Sequence, residues 1–250
     1  MKLKAKKPGF IIVVGVLALL LILAGAFLIY TAIYYHADSS AVEAVGLAGD
    51  VSITSSDGAL IFDPGSADTA LVFYPGGKVE YTAYEPLMVK LAEKGILCIL
   101  PKMPFNLAVF GVNAADKYIS SHTEIKHWYL GGHSLGGSMA ASYASKNADK
   151  VEGLVLLASY SAADISESGI KALFLCGSKD GILSAEDYQS HRKNLPADTE
   201  ESVITDGNHA GFGCYGPQKG DGEAGITAEK QQSETADAVA DFCLSAEKAA

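Results

Sequence analysis

The sequence lacks the patterns that hold metals. Neither a Cys-x-x-Cys pair nor a His-Glu-x-x-His stretch occurs among its 250 residues, so no metal site is expected. Cysteine itself is scarce, and four in a chain this long cannot form a disulfide scaffold. Cys98 and Cys176 sit in apolar runs, where buried free thiols are expected, which leaves Cys214 and Cys243 as a candidate pair. Positive charge is thin as well: 19 Lys and Arg face 29 Asp and Glu, for a net charge of −10. Lys2, Lys4, Lys6 and Lys7 crowd the start, leaving 15 of those 19 for the rest of the chain. Displacing counterions from a phosphate backbone needs clustered Lys and Arg, so nucleic acid is not an expected partner.

Charge of either sign is missing from Pro8 to Tyr35, and Ile, Val, Leu, Ala and Phe dominate Phe10 to Tyr30. A helix of ~20 such residues crosses the ~30 Å hydrocarbon layer of a membrane. Lysines precede this run while Asp38 and Glu43 follow it. The positive-inside rule therefore places the N-terminus in the cytoplasm and the main domain outside the cell membrane. The apolar region of a secretory signal is about 7 to 15 residues, shorter than this one, although Ala24-Gly25-Ala26 keeps cleavage open as the alternative. The expected order is a basic cytoplasmic tail over 1–7, a signal-anchor transmembrane helix over 8–35, a tether over 36–50 and one domain over 51–250.

Within that domain, two short strand candidates around Ser56-Asp57-Gly58 predict an opening hairpin. Next, Ala70 to Tyr74 forms an apolar run ended by Pro75-Gly76-Gly77, and a helical pattern runs through Tyr84, Leu87, Met88 and Leu91. The alternation continues with strands over 96–100, 127–131, 151–158 and 171–176 and near 202–205. Helices are expected around 107–121 and over 135–147, 184–194 and 227–247. Continuous apolar strands alternating with amphipathic helices specify an α/β fold, a mostly parallel sheet flanked by helices. Sites in such sheets lie at the carboxyl ends of the strands.

One such end reads Gly131-Gly132-His133-Ser134-Leu135-Gly136-Gly137 and leads into a helical stretch. Gly132-x-Ser134-x-Gly136 in a strand-turn-helix setting is the nucleophile-elbow pattern, in which a strained turn presents the hydroxyl. A serine hydroxyl needs a base, and the base needs an orienting carboxylate, which in this arrangement follow in the order Ser, acid, His. Asp180 falls in the loop after strand 171–176, ahead of Asp206 and Asp187 as competitors. His209 falls in a loop before the last helix, whereas His122 and His127 precede the serine and His191 lies in a charged helical stretch. His133 reads as a packing or hydrogen-bonding neighbour. Backbone N–H groups aimed at a developing oxyanion are expected from Leu135 and from the loop after the third strand, where Gly77 leads Gly76 and Lys78. Met103, Phe105, Leu107 and Phe110 after one strand, with Phe212, Tyr215, Lys219 and Asp221 after the base, are candidates for shaping the pocket.

Through Tyr74-Pro75-Gly76-Gly77-Lys78-Val79, Pro101 to Leu107, Gly131 to Gly137, Gly177-Ser178-Lys179-Asp180-Gly181 and Gly207-Asn208-His209-Ala210, the chain resembles the alpha/beta hydrolase superfamily. It looks most like a compact bacterial branch, alpha/beta hydrolase family five, akin to dienelactone hydrolases. The resemblance covers nearly all of 51–250 and implies an eight-stranded hydrolase core with a Ser134, Asp180, His209 triad. Where many esterases and lipases carry His-Gly, this chain has Pro75-Gly76. Only about a dozen residues separate strands 151–158 and 171–176, too few for a large lid. The expected activity is a serine hydrolase acting on ester or thioester bonds of small to medium substrates through an acyl-enzyme, without metal or organic cofactor. Acyl transfer to an envelope acceptor and a non-catalytic binding or sensing protein on the same frame are the alternatives. Expected partners are a small-molecule or acyl-ester substrate and the membrane.

Overall fold

The computed structural model describes residues 8–39, 41 and 49–245, so the expected basic tail and most of the expected tether lie outside the described residues. The chain divides into two units between Tyr34 and Tyr35. The first holds helix α1, Pro8–Ala32, whose 25 residues carry no charge. Its apolar side chains are exposed, Leu21 and Ile22 by 74% and 67%, which is the surface a lipid environment would cover. A helix of this length and composition can be a membrane anchor or a signal sequence. The helix stops three residues short of the expected span 8–35. Tyr35 belongs instead to the second unit, where it forms a parallel bridge with Val79.

The second unit is an eight-stranded sheet. Its strands are β1 (Ser52–Ser56), β2 (Ala59–Asp63), β3 (Thr69–Tyr74), β4 (Leu97–Pro101), β5 (His127–His133), β6 (Gly153–Leu157), β7 (Lys171–Gly177) and β8 (Glu200–Ile204). They lie in the order β1-β2-β4-β3-β5-β6-β7-β8. The predicted hairpin is β1 with β2, and β2 pairs antiparallel to β4. Every other neighbour is parallel.

Alternation along the strands gives the sheet two buried faces. Leu71 and Phe73 of β3, with Val155 and Leu157 of β6, pack on one side against α2 (Glu85–Ala92) and α6 (Ala228–Leu244). Ala70, Val72 and Tyr74, with Leu154 and Leu156, pack on the other against α3 (Ala115–Ser121), α4 (Leu135–Ala144) and α5 (Ala185–His191). Strands covered on both sides read as unbroken apolar runs, as β3 does. The helix expected around 107–121 is real only from Ala115. Ahead of it, within the span, lies one short 3-10 turn, Ala108–Phe110, bounded by Leu107 at φ −133°, ψ 109° and Gly111 at φ −135°, ψ 29°, both outside the helical region.

Candidate active site

Ser134 sits between the end of β5 and the first residue of α4 with φ 51° and ψ −123°. For a residue with a Cβ such a conformation costs about 1–3 kcal/mol and persists only where the surroundings enforce it. Here they do. A Cβ on Gly132 would lie 2.5 Å from the Gly136 carbonyl carbon, and one on Gly136 would lie 2.1 Å from the Tyr74 oxygen. Strand, helix and the neighbouring β3 thus meet at distances only glycine permits. Two contacts from the end of β6 and just past it complete the brace: the Ser134 N–H donates to Leu157 O at 2.9 Å, and Ser159 Oγ donates to Ser134 O at 2.7 Å.

Asp180 and His209 are brought together by the ends of β7 and β8. The backbones of their loops touch, since the Lys179 N–H donates to Gly207 O at 2.8 Å and a Cβ on Gly177 would lie 2.3 Å from Gly207. Asp180 Oδ2 lies 2.9 Å from His209 Nδ1, while Oδ1 accepts the N–H groups of Ile182 and Leu183 at 2.9 and 2.8 Å. The His209 and Asp180 side chains are 1% and 4% exposed. A carboxylate at Nδ1 fixes the proton there and leaves the lone pair on Nε2. That buried Nε2 has no hydrogen-bond partner among the described residues, and no hydrogen bond joins it to Ser134 Oγ.

His133, next to the serine, is buried and its ring centre lies 4.5 Å from that of His209. Burial first, then the facing His209 imidazole, hold its pKa well below the ordinary histidine value, so it stays neutral. Tyr84 Oη accepts the Gly76 N–H at 3.1 Å and lies 2.8 Å from His133 Nδ1. Both bonds are satisfied when the phenol donates to Nδ1 and the His133 proton sits on Nε2.

Of the three N–H groups in the loop after β3, two are therefore committed: Gly76 to Tyr84, and Lys78 to Asn106 O at 2.7 Å. The Gly77 N–H has no partner among the described residues, and its backbone rests on the Leu135 side chain, where a Cβ would come within 2.8 Å. The Leu135 N–H opens α4, a position with no partner inside the helix.

The sequence model of the alpha/beta hydrolase family matches residues 70–233. The chain belongs to the alpha/beta hydrolase family. Solved structures agree on the fold. A dienelactone hydrolase from Anabaena variabilis is 13% identical with a TM-score of 0.57, over 77% of this chain and 97% of its own. An alpha/beta hydrolase enzyme from a sediment metagenome of the Mar Chica lagoon, Morocco, is likewise 13% identical with a TM-score of 0.59, over 79% and 99%. No curated protein matches the sequence.

In this member of the family Met103, Phe105 and Phe212, expected to wall the pocket, do not share a surface. Met103 is buried in the core beneath one face of the sheet, and Phe212 in the core beneath the other, its ring 5.6 Å from that of His133. Phe105 and Phe110 are exposed and meet edge-on at 5.6 Å. Cys214 and Cys243 are free thiols, as are Cys98 and Cys176, so the candidate disulfide does not form. The Cys214 Sγ instead lies against the Gln232 amide at 3.3 Å.

Three supporting residues escaped the sequence reading: Tyr84, Ser159 and Gln231. Gln231, 1% exposed, accepts the Asn208 N–H at 3.0 Å and donates to Asn208 O at 2.8 Å, gripping the residue before the base from α6. Its only sequence signal was a polar residue on the apolar side of a helix.

Proposed function

We propose that this hydrolase is a serine enzyme that cleaves ester or thioester bonds of small to medium substrates through an acyl-enzyme. The observation that carries the reading is the Asp180–His209 pair, closed at 2.9 Å and almost wholly buried, with the His209 ring 4.5 Å from that of His133 in the elbow that holds Ser134 at positive φ. In the reaction, Ser134 Oγ attacks the carbonyl carbon and passes its proton to His209 Nε2. Asp180 keeps the imidazole oriented and stabilises the imidazolium that forms. The N–H groups of Gly77 and Leu135 take the developing oxyanion. His209 returns the proton to the leaving alcohol or thiol, and water then repeats the sequence in reverse to free the acid. The open link between Ser134 and His209 is consistent with this, because catalytic hydrogen bonds are often long or misaligned until substrate binds.

The deciding experiment treats the full-length chain with a fluorophosphonate probe and maps the labelled peptide. Labelling at Ser134 that vanishes in His209→Ala supports the triad; a folded but probe-inert chain points to a binding protein on the hydrolase frame. With short-chain aryl esters, Ser134→Ala is expected to lower turnover by at least ~10³-fold.

We further propose that α1 is a membrane anchor, with Lys2, Lys4, Lys6 and Lys7 in the cytoplasm and the catalytic domain outside. Protease added to intact cells should then digest the domain, and full protection of it would exclude this topology.

A further inference from the structure

Asp221 lies between Gly220 and Gly222 in the loop from His209 to α6, where sequence alone placed it among residues able to shape the pocket. Its carboxylate is instead spent on main-chain donors. Oδ1 accepts the N–H groups of Gly181 at 3.0 Å, His209 at 3.2 Å and Gly222 at 2.8 Å, while Oδ2 accepts that of Ala210 at 2.8 Å. Gly181 directly follows Asp180, so one side chain grips the acid loop and the base at once. The approach is close: a Cβ on Gly181 would lie 2.7 Å from Gly220 O and from Gly222 N. A carboxylate offers about four lone-pair sites and no proton, which makes it the side chain suited to gather several N–H groups at one point.

We infer that Asp221 is a positioning residue for the acid–base pair, setting the backbone separation at which Asp180 meets His209 Nδ1. It makes no contact with the reacting atoms and acts through the geometry of the other two. The inference rests on the triad reading above. Asparagine keeps the shape of the side chain but replaces one oxygen with a donor, and in either orientation that donor faces an N–H group. The loops then part, and a misplacement of about 1 Å between reacting groups costs on the order of 10²-fold in rate.

The test compares the full-length wild type with Asp221→Asn, Asp221→Ala and Glu223→Gln. The last removes the same charge from an exposed neighbour in the same loop. Both Asp221 variants are expected to lose roughly 10²-fold in kcat on a short-chain aryl ester while KM stays within about twofold. Glu223→Gln should behave as wild type. A second readout is the far-downfield proton resonance of a histidine Nδ1–H bonded to a carboxylate, expected in the wild type and lost or broadened in Asp221→Asn. Wild-type kcat in the Asp221 variants would overturn the inference. So would a loss that scales only with the unfolded fraction while the resonance persists. If the wild type itself resists the fluorophosphonate probe, the triad reading fails, yet the resonance still reports whether Asp221 holds the pair.

Discussion

The serine and the histidine of this site are held by different kinds of force. Around Ser134 the constraint is chiefly steric, with two hydrogen bonds added to it. Gly132, Gly136 and Gly137 let backbone meet backbone, so the turn has one shape because every other shape collides. Around His209 the constraint is chiefly polar: Asn208 is gripped by Gln231, the His209 and Ala210 N–H groups by Asp221, and the imidazole by Asp180. Steric constraint fails abruptly when a single atom is added. A hydrogen-bonded loop has several supports and loses them one at a time, so its position is adjustable by degrees.

That contrast can be broken most sharply at Gly136. Alanine there would set a Cβ 2.1 Å from Tyr74 O and 2.4 Å from Pro75 O, both backbone atoms that cannot swing aside. Overpacking of this kind is expected to cost ~3 kcal/mol or more, and with it all labelling of Ser134. The urea midpoint and the probe reaction read both effects, and a stable, fully labelled Gly136→Ala would show the elbow to be softer than argued. A smaller effect is expected at Gln231. Removing its amide leaves the N–H and carbonyl of Asn208 without these bonds, at about 1–3 kcal/mol. Turnover should fall partially while Ser134 remains labelled. Equal and complete loss in both variants would erase the distinction.

The smallest effect separates the surrounding frame from both loops. At the start of α2, burial and then the nearby Glu80 push the Glu85 carboxyl from its ordinary 4.5 up to about 7. A carboxyl whose folded pKa is raised stabilises the fold fully below its unfolded pKa and loses that contribution as pH rises through the folded value. The melting temperature of the wild type should therefore decline between pH 5 and 8, and Glu85→Gln should flatten that decline. An unchanged slope in the variant would remove Glu85 as the cause.

The same contrast decides what could be read from the sequence. Gly132-x-Ser134-x-Gly136 is legible because its constraint is local, written in five adjacent residues. Apolar runs such as Ala70 to Tyr74 announced the parallel sheet, since burial on both faces leaves little room for polar residues. Asp180 and His209 were placed by the strands that precede them. The residues that steady them were not, because their partners are remote: Gln231 stands 23 positions from Asn208, and Tyr84 stands 49 from His133. Helix periodicity around 107–121 misled for another reason. Leu107 and Gly111 take non-helical conformations that apolar spacing does not encode.

Tyr35 to Asp38, expected as part of the span and the slack that follows it, are woven into the catalytic domain. The Tyr35 N–H donates to Lys78 O and its carbonyl accepts the Glu80 N–H, both at 2.8 Å, while the Asp38 N–H donates to Cys214 O at 2.9 Å. A protease that nicked the chain between Ser39 and Gly49 would cut a covalent bond without undoing any of these. Tyr35 to Asp38 would stay held to the domain by these hydrogen bonds after such a cut, so scission of the chain and separation of its parts are distinct events.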